Sequence, residues 1–172
     1  MKRNINKVAI IGSGIMGSSI ACHFANIGVN VLLLDIVPNK LSDEEKKSGI
    51  KETDTTFRNK IVSSSLLKTV KSKPSPLYDK RFSERIEIGN LEDDIEKVST
   101  VDWIIEVVVE KIEIKNIVFE KLDKYRKKGT LISSNTSGIP INSMIKNRSE
   151  DFCENFCGTH FFNPPRYLKL LE

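Results

Sequence analysis

The sequence has no apolar run near the roughly 20 residues that a helix needs to cross a bilayer. Its basic start, MKRNINK, passes straight into a strand-like segment and leaves no room for an export signal. Both absences make a cytoplasmic protein with no membrane partner the expectation. Three cysteines are present, Cys22, Cys153 and Cys157, an odd number that builds no disulfide framework and fits a reducing compartment. Histidine is scarcer still, with His23 and His160 alone. Cys153, Cys157 and His160 are close in sequence, but zinc takes four ligands and His23 belongs to the first helix. If 156–161 is a strand, Cys157 and His160 also face opposite sides. No metal is expected. Internal repeats and low-complexity tracts are lacking too, which excludes solenoids and repeat arrays. Charge of either sign is nearly balanced, 27 basic against 23 acidic residues for a net +4, and no nucleic-acid partner is expected.

What is present suits one soluble domain: 172 residues, 39% hydrophobic and 29% charged. The positive charge is uneven. Between Lys40 and Arg85 there are 12 basic residues against 7 acidic. Two readings stand, a surface that attracts a phosphate-bearing ligand and a merely solvated helical face.

The stretch Lys7–Gly17, KVAIIGSGIMG, organises the rest. Val8, Ala9, Ile10 and Ile11 form a continuous apolar run, as in the central strand of a parallel sheet covered on both faces. Gly12, Gly14 and Gly17 follow at G-x-G-x-x-G spacing. In a turn of this kind the first glycine permits the reversal, the second lets a pyrophosphate approach the backbone, and the third allows close helix–strand packing, with the helix N-terminus toward the phosphates. Ile20, Phe24 and Ile27 then recur at helical spacing, and Gly28 supplies a stop. A second buried run, Val31–Leu34, ends in Asp35, 23 residues past Gly12, where an acid accepts the ribose hydroxyls of a dinucleotide. The bland alternative is glycines in an ordinary tight turn with Asp35 as a helix cap. Strand, helix and acid falling in place together favour the dinucleotide. Ile36 and Val37 stand where a 2′-phosphate would want arginine, and the Asp35 carboxylate would repel it, so NAD is favoured over NADP.

Past Asp35 the pattern predicts a helical excursion, first Leu41–Ser48, then Phe57, Ile61, Val62, Leu66 and Val70 at helix spacing, broken at Lys73–Pro76. Arg85–Asn90 alternates as an edge strand, Leu91–Val98 fits a small helix, and Asp102–Val109 reads as a buried strand. An amphipathic helix over Ile112–Lys128 turns Ile114, Ile117, Val118 and Leu122 inward and closes at Gly129. Leu131–Ser134 makes a fifth strand, Pro140 begins a short helix, and Phe156–Phe162 makes a sixth strand stopped by Asn163, Pro164 and Pro165. Such alternation implies an α/β fold, a doubly wound, mostly parallel sheet of Rossmann type with a helical excursion between strands two and three. Ligands in these sheets lie outside the carboxyl ends of the strands. Following each strand to that end gives the glycine turn, Asp35, Glu106 with Glu110, Ser137, and His160 with Asn163. By itself Ser137 is also a plausible turn residue, and His160 a core histidine between apolar neighbours.

SNTSG at Ser134–Gly138, HFFNP at His160–Pro164 and the run VEKIEIKNIVFEKLDKY at Val109–Tyr125 resemble the NAD-binding domain of the L-3-hydroxyacyl-CoA dehydrogenases. KSKPSPLY at Lys71–Tyr78 and NPPRYLKLLE at Asn163–Glu172 are most similar to the long bacterial members fused to an enoyl-CoA hydratase-like domain. The resemblance implies NAD-dependent oxidation of an L-3-hydroxyacyl-CoA to the 3-ketoacyl-CoA, in fatty acid β-oxidation or hydroxybutyryl-CoA metabolism. It makes His160 the general base for the hydroxyl proton, Glu172 the carboxylate that orients it, and Ser137 the residue bonded to the substrate oxygen near the nicotinamide. Gly12, Gly14, Ile15, Met16, Gly17, Asp35, Glu110, Lys115, Ser137 and Asn163 become the cofactor contacts, and Lys68 and Lys71 the candidates for touching CoA. The family's C-terminal helical domain supplies an active-site asparagine, closes over the acyl-CoA and forms much of a dimer interface. It is not found in these 172 residues, so the resemblance implies one dinucleotide-binding domain over 1–172, weakly active or inactive alone. As the last residue, Glu172 is open to fraying away from His160.

Two rivals remain at this point: another Rossmann hydroxy-acid dehydrogenase using a lysine base, and a noncatalytic dinucleotide-binding module from a truncated gene. The Asp35 argument has its own test. Calorimetric titration with both cofactors is expected to show tighter binding of NADH than of NADPH, and equal or reversed affinity would remove the argument.

Overall fold

Alternate residues of a strand face opposite sides, and here both sides are covered. In β1 (Lys7–Ile11) and β2 (Asn30–Asp35), Val8, Ile10, Val31 and Leu33 pack into one core while Ala9, Ile11, Leu32 and Leu34 pack into another. The computed structural model describes residues 3–168 and 170–172. It adds β3 (Ile86–Asn90), β4 (Trp103–Glu106), β5 (Leu131–Ser134) and β6 (Phe156–Gly158) to a six-stranded sheet of order β3-β2-β1-β4-β5-β6. Every neighbouring pair is parallel. No helix among the described residues is long and apolar enough to cross a membrane.

Helix α1 (Ile15–Asn26) returns the chain from β1 to β2, and α2 (Asp43–Lys47), α3 (Thr55–Arg58) and α4 (Lys60–Val70) make the excursion between β2 and β3. Ile20 and Phe24 of α1 and Val62 of α4 close the first core. Helix α5 (Ile112–Tyr125), with α6 (Ile141–Met144) and α7 (Glu150–Glu154), closes the second through Val118, Phe119, Leu122, Met144 and Phe152. The strand order turns back at β1, whose neighbours are β2 and β4. That reversal opens a crevice at the carboxyl ends of β1 and β4.

The strand registers bring those ends level. Ile11 pairs with Leu34 on one side and Glu106 on the other, Glu106 with Ser134, and Ser134 with Gly158. One residue later Gly12, Val107, Asn135 and Thr159 each donate one last ladder bond, to Leu34, Ile11, Glu106 and Ser134, at 2.7, 2.8, 2.8 and 2.9 Å. The connecting loops therefore spring from a common line.

Several sequence expectations need correction. The fourth strand ends at Glu106 instead of Val109, and the sixth at Gly158 instead of Phe162, so the strand alternation used for Cys157 and His160 does not reach His160. Phe161 instead makes an isolated antiparallel bridge to Leu171. Helix α5 stops at Tyr125, where Arg126 turns extended and bonds Asp123 and Asp151; Gly129 lies in the turn beyond. Ile114 and Ile117 are not inward, being 39% and 59% exposed, and Ile27 of the first helix pattern is 60% exposed. The inward face of α5 is Lys115, Val118, Phe119 and Leu122, a clean helical stripe disguised by its lysine. Where a helix was expected over Leu91–Val98, a 3-10 turn covers Ile95–Thr100. Helix α7, capped by the Ser149 hydroxyl accepting from the Phe152 amide at 3.2 Å, was not foreseen.

The glycines of the first turn differ in what a methyl group would meet. A Cβ at Gly17 would lie 1.8 Å from the Gly12 carbonyl oxygen, whereas at Gly14 it would meet nothing within 4 Å. Gly17→Ala should therefore destabilise the fold by at least about 2 kcal/mol in urea unfolding, and Gly14→Ala by about 1 kcal/mol or less. Equal effects would refute the close-packing role of Gly17.

Candidate active site

The crevice begins at the glycine turn. Gly12 has φ +103°, and a Cβ there would meet the Val107 carbonyl at 2.7 Å, so β1 and the loop after β4 touch through bare backbone. Gly14 precedes α1 with no side chain capping the helix start, which leaves its first N–H groups and an open surface together. That pairing suits a phosphate. Ile15 is exposed beside it, Met16 is half-buried, and Gly17 is buried beneath. Asp35 lies at the end of β2, and its Oδ2 accepts from the Ser13 amide at 2.6 Å and the Ser13 hydroxyl at 2.5 Å. The Ile36 amide donates to Oδ1 at 2.7 Å. Ser13, between the first two glycines, was missed in the sequence. A hydroxyl at that position of a glycine turn is the signal that would have found it.

His160 follows β6, and Glu172 lies against it. The His160 amide donates to the Glu172 carbonyl at 2.7 Å and the Glu172 amide to the His160 carbonyl at 3.2 Å. His160 Nδ1 lies 3.3 Å from Glu172 Oε2. Glu172 thus pairs with His160 through its backbone as well as its side chain. Phe161 enters the first core, while the His160 side chain stays 33% exposed with its ring against Phe162, centroids 4.7 Å apart. The core-histidine alternative falls. Ser137 is exposed on the loop after β5, and Ser137, His160 and Glu172 line one open concavity of about 400 Å³ with Gly138, Ile141 and Thr159. Asn135 fastens the two loops together, its Oδ1 accepting from the Phe161 amide at 2.9 Å.

Between these two parts stands a charged network. Glu106, on the rim by strand position, is in fact wholly buried and so not itself a rim group. Its carboxylate accepts from the Val108 amide at 2.7 Å, from the Ser134 hydroxyl, and from Lys115 Nζ at 2.8 and 2.9 Å. Lys115, 1% exposed, also reaches Glu110 Oε2 at 3.2 Å. This is not the surface pair that a lysine at a helix start suggests. Glu110 Oε1 accepts from the Thr136 hydroxyl, the Ser137 amide at 3.1 Å and the Gly138 amide at 3.3 Å. Partial burial pushes the Glu110 carboxyl up, but the Thr136 hydroxyl, the Lys115 ammonium and the Gly138 amide outweigh it and hold the group below its ordinary range.

Asn163 lies apart from Ser137, in a groove of about 290 Å³ with Ile15, Lys68, Ser72, Pro164 and Tyr167. Lys71, the C-cap of α4, is exposed and does not line that groove. A larger concavity, about 800 Å³, opens near the amino ends of β5 and β6, lined by charged residues from Glu120 to Glu154. It is remote from the glycine turn, and Arg126, one of its four cationic side chains, is bonded to Asp123 and Asp151.

A family model described as "3-hydroxyacyl-CoA dehydrogenase, NAD binding domain" matches residues 7–172. A probable 3-hydroxyacyl-CoA dehydrogenase of Bacillus subtilis is 52% identical over 100% of this chain, which covers 22% of that protein. A second, from Deinococcus radiodurans, is 45% identical over 98% of this chain and 44% of its own length. The crystal structure of an (S)-3-hydroxybutyryl-CoA dehydrogenase from Ralstonia eutropha is similar with a TM-score of 0.67 at 27% identity, over 98% of this chain and 53% of that one. The chain spans about a fifth to a half of the length of these relatives. With the glycine turn, Asp35 and the parallel sheet in place, the chain belongs to the family of NAD-binding domains of the 3-hydroxyacyl-CoA dehydrogenases.

Proposed function

We propose that this chain is the cofactor-binding and proton-transferring part of an enzyme that oxidises an L-3-hydroxyacyl-CoA to the 3-ketoacyl-CoA. The observation that carries the reading is the shared concavity of Ser137, His160 and Glu172 at the carboxyl edge of the sheet that also bears the glycine turn. Gly12, Gly14 and the start of α1 would hold the pyrophosphate, Asp35 the adenosine ribose, and Glu110 and Asn163 would flank the nicotinamide end. NAD+ bound there supplies the hydride acceptor. Glu172 faces His160 Nδ1 and leaves Nε2 to take the substrate hydroxyl proton. The Ser137 hydroxyl holds the same substrate oxygen, which keeps the C3–H bond aimed at the cofactor.

Lys68 lies in the groove that Asn163 also lines, where an ammonium suits the phosphates of CoA. On this reading residues 1–172 work as one dinucleotide-binding domain of a larger, dimeric, cytoplasmic enzyme. A helical domain beyond Glu172 covers the acyl-CoA, and 1–172 alone has little activity.

His160→Gln in the full-length protein should cut acetoacetyl-CoA-dependent oxidation of NADH by about 10²- to 10⁴-fold while leaving the NADH dissociation constant within about twofold. Unchanged turnover would favour a dehydrogenase with a different base. NADH binding without turnover in the unaltered full-length protein would favour a noncatalytic module.

A further inference from the structure

The two stretches singled out as most similar to the long bacterial members, Lys71–Tyr78 and Asn163–Glu172, meet in the fold. Arg166 Nη1 donates to the Ser75 carbonyl at 2.5 Å and to the Leu77 carbonyl at 3.0 Å, and the Tyr167 hydroxyl donates to the Ser75 carbonyl at 3.2 Å. The guanidinium also lies over the rings of Tyr78 and Tyr167, 4.2 and 5.1 Å from their centroids. The loop on the accepting side is itself fixed. The Asn26 side chain of α1 donates to the Pro76 carbonyl at 2.8 Å and accepts from the Tyr78 amide at 2.9 Å, while Leu77 is buried in the first core. The segment on the donating side has fewer ties. Apart from a turn in which the Tyr167 and Leu168 amides donate to the Pro164 carbonyl, the hydrogen bonds of 163–168 among the described residues all end on this loop.

Between the two stretches lies the groove of about 290 Å³. Its described lining carries three cations, Lys68, Lys73 and Arg166, and no carboxylate, a balance that suits a phosphate-bearing ligand. We infer that Arg166 is a positioning residue, whose guanidinium locks the Pro165–Tyr167 wall to the Ser75–Tyr78 loop and so sets the width of the groove for the nucleotide phosphates of CoA, without itself bonding them. The inference rests on the dehydrogenase reading for the identity of the ligand and on the contacts above for the clamp. A planar guanidinium can bond two carbonyls while its face lies against aromatic rings, and a lysine ammonium cannot reproduce that combination. The base of the excursion from His160 to Glu172 is closed separately, by the Phe161–Leu171 bridge and the two backbone bonds between His160 and Glu172. Loosening its tip therefore leaves the His160–Glu172 pair in place.

A guanidinium in direct contact with a phosphate would line the same groove, so three variants separate the two roles. Arg166→Lys keeps the charge and loses the fork, Arg166→Met loses both, and Asn26→Ala loosens the loop from the α1 side at a residue that does not line the groove. In the full-length protein, the dissociation constant of coenzyme A is measured by calorimetry and exchange of the Tyr167 and Leu168 amides by NMR. Turnover is measured at saturating NADH with acetoacetyl-CoA and with acetoacetyl-N-acetylcysteamine, a thioester without the nucleotide. Both Arg166 variants should raise the coenzyme A dissociation constant and the acetoacetyl-CoA KM by about tenfold, and Asn26→Ala by about threefold, while kcat/KM for the nucleotide-free thioester stays within about threefold of the parent. The two amides should exchange faster by about tenfold in both Arg166 variants. Parental coenzyme A affinity in Arg166→Lys alongside a loss in Arg166→Met would overturn the proposal in favour of a direct charge contact. Faster amide exchange with coenzyme A affinity unchanged would overturn it by leaving the clamp without a bearing on the ligand, and equal losses with both thioesters would overturn it by placing the effect at the His160 end. If the unaltered protein turns over neither thioester, the dehydrogenase reading fails alone, because coenzyme A binding and amide exchange still decide the role of Arg166.

Discussion

The parallel register of the central strands is the constraint from which the site follows. Because side chains alternate, a slip of one residue in β1 would drive Val8 and Ile10 out of one core and Ala9 and Ile11 out of the other. Each isoleucine or valine moved from full burial toward water would lose about 1.5–3 kcal/mol, so the apolar runs admit one alignment. That alignment sets Ile11, Glu106, Ser134 and Gly158 in a row. The loops that carry Gly14, Glu110, Ser137 and His160 leave from that row. Core packing thus decides where the candidate site stands.

Polar groups at the strand ends carry a cost that the sheet itself does not offset. Glu106 is buried completely, and an isolated carboxylate in such a place would be several kcal/mol unfavourable. Three kinds of donor compensate it: a backbone amide, a hydroxyl and an ammonium. The compensation demands a lysine on the inward face of α5, which is why that face departs from a purely apolar stripe. Polar satisfaction and core packing therefore share a single helix, and its phase answers to both.

Features with short-range causes were legible in the sequence. The glycine spacing, Asp35 at the end of β2 and the four-residue apolar runs each arise within a few residues, and the structure places them as read. Less legible were features whose cause lies far along the chain. The phase of α5 was misjudged because Ile114 and Ile117 were read as inward, and only Glu106, nine residues earlier on another element, explains why Lys115 takes an inward place instead. The length of β6 was overestimated because Phe161 and Phe162 extend the apolar pattern. The segment past Gly158 bonds the C-terminal residues instead of continuing beside β5. Ser13 escaped notice for the same reason, since its partner Asp35 is distant in sequence.

The loop that follows β4 joins the two halves of the crevice. On one side the Val107 carbonyl lies where a Cβ on Gly12 would come within 2.7 Å, so the nucleotide turn closes against it. On the other side Glu110 grips the backbone of Ser137 and Gly138. The glycine turn on β1 and β2 and the His160–Glu172 pair beyond β6 have no need of direct contact with each other, because both are referred to this intermediate loop. Its own placement comes from Glu106 and Lys115 beneath it, two residues shielded from solvent. Glu110, itself exposed, is faced by the Lys115 ammonium, which lies in the interior, where water and salt screen a charge least.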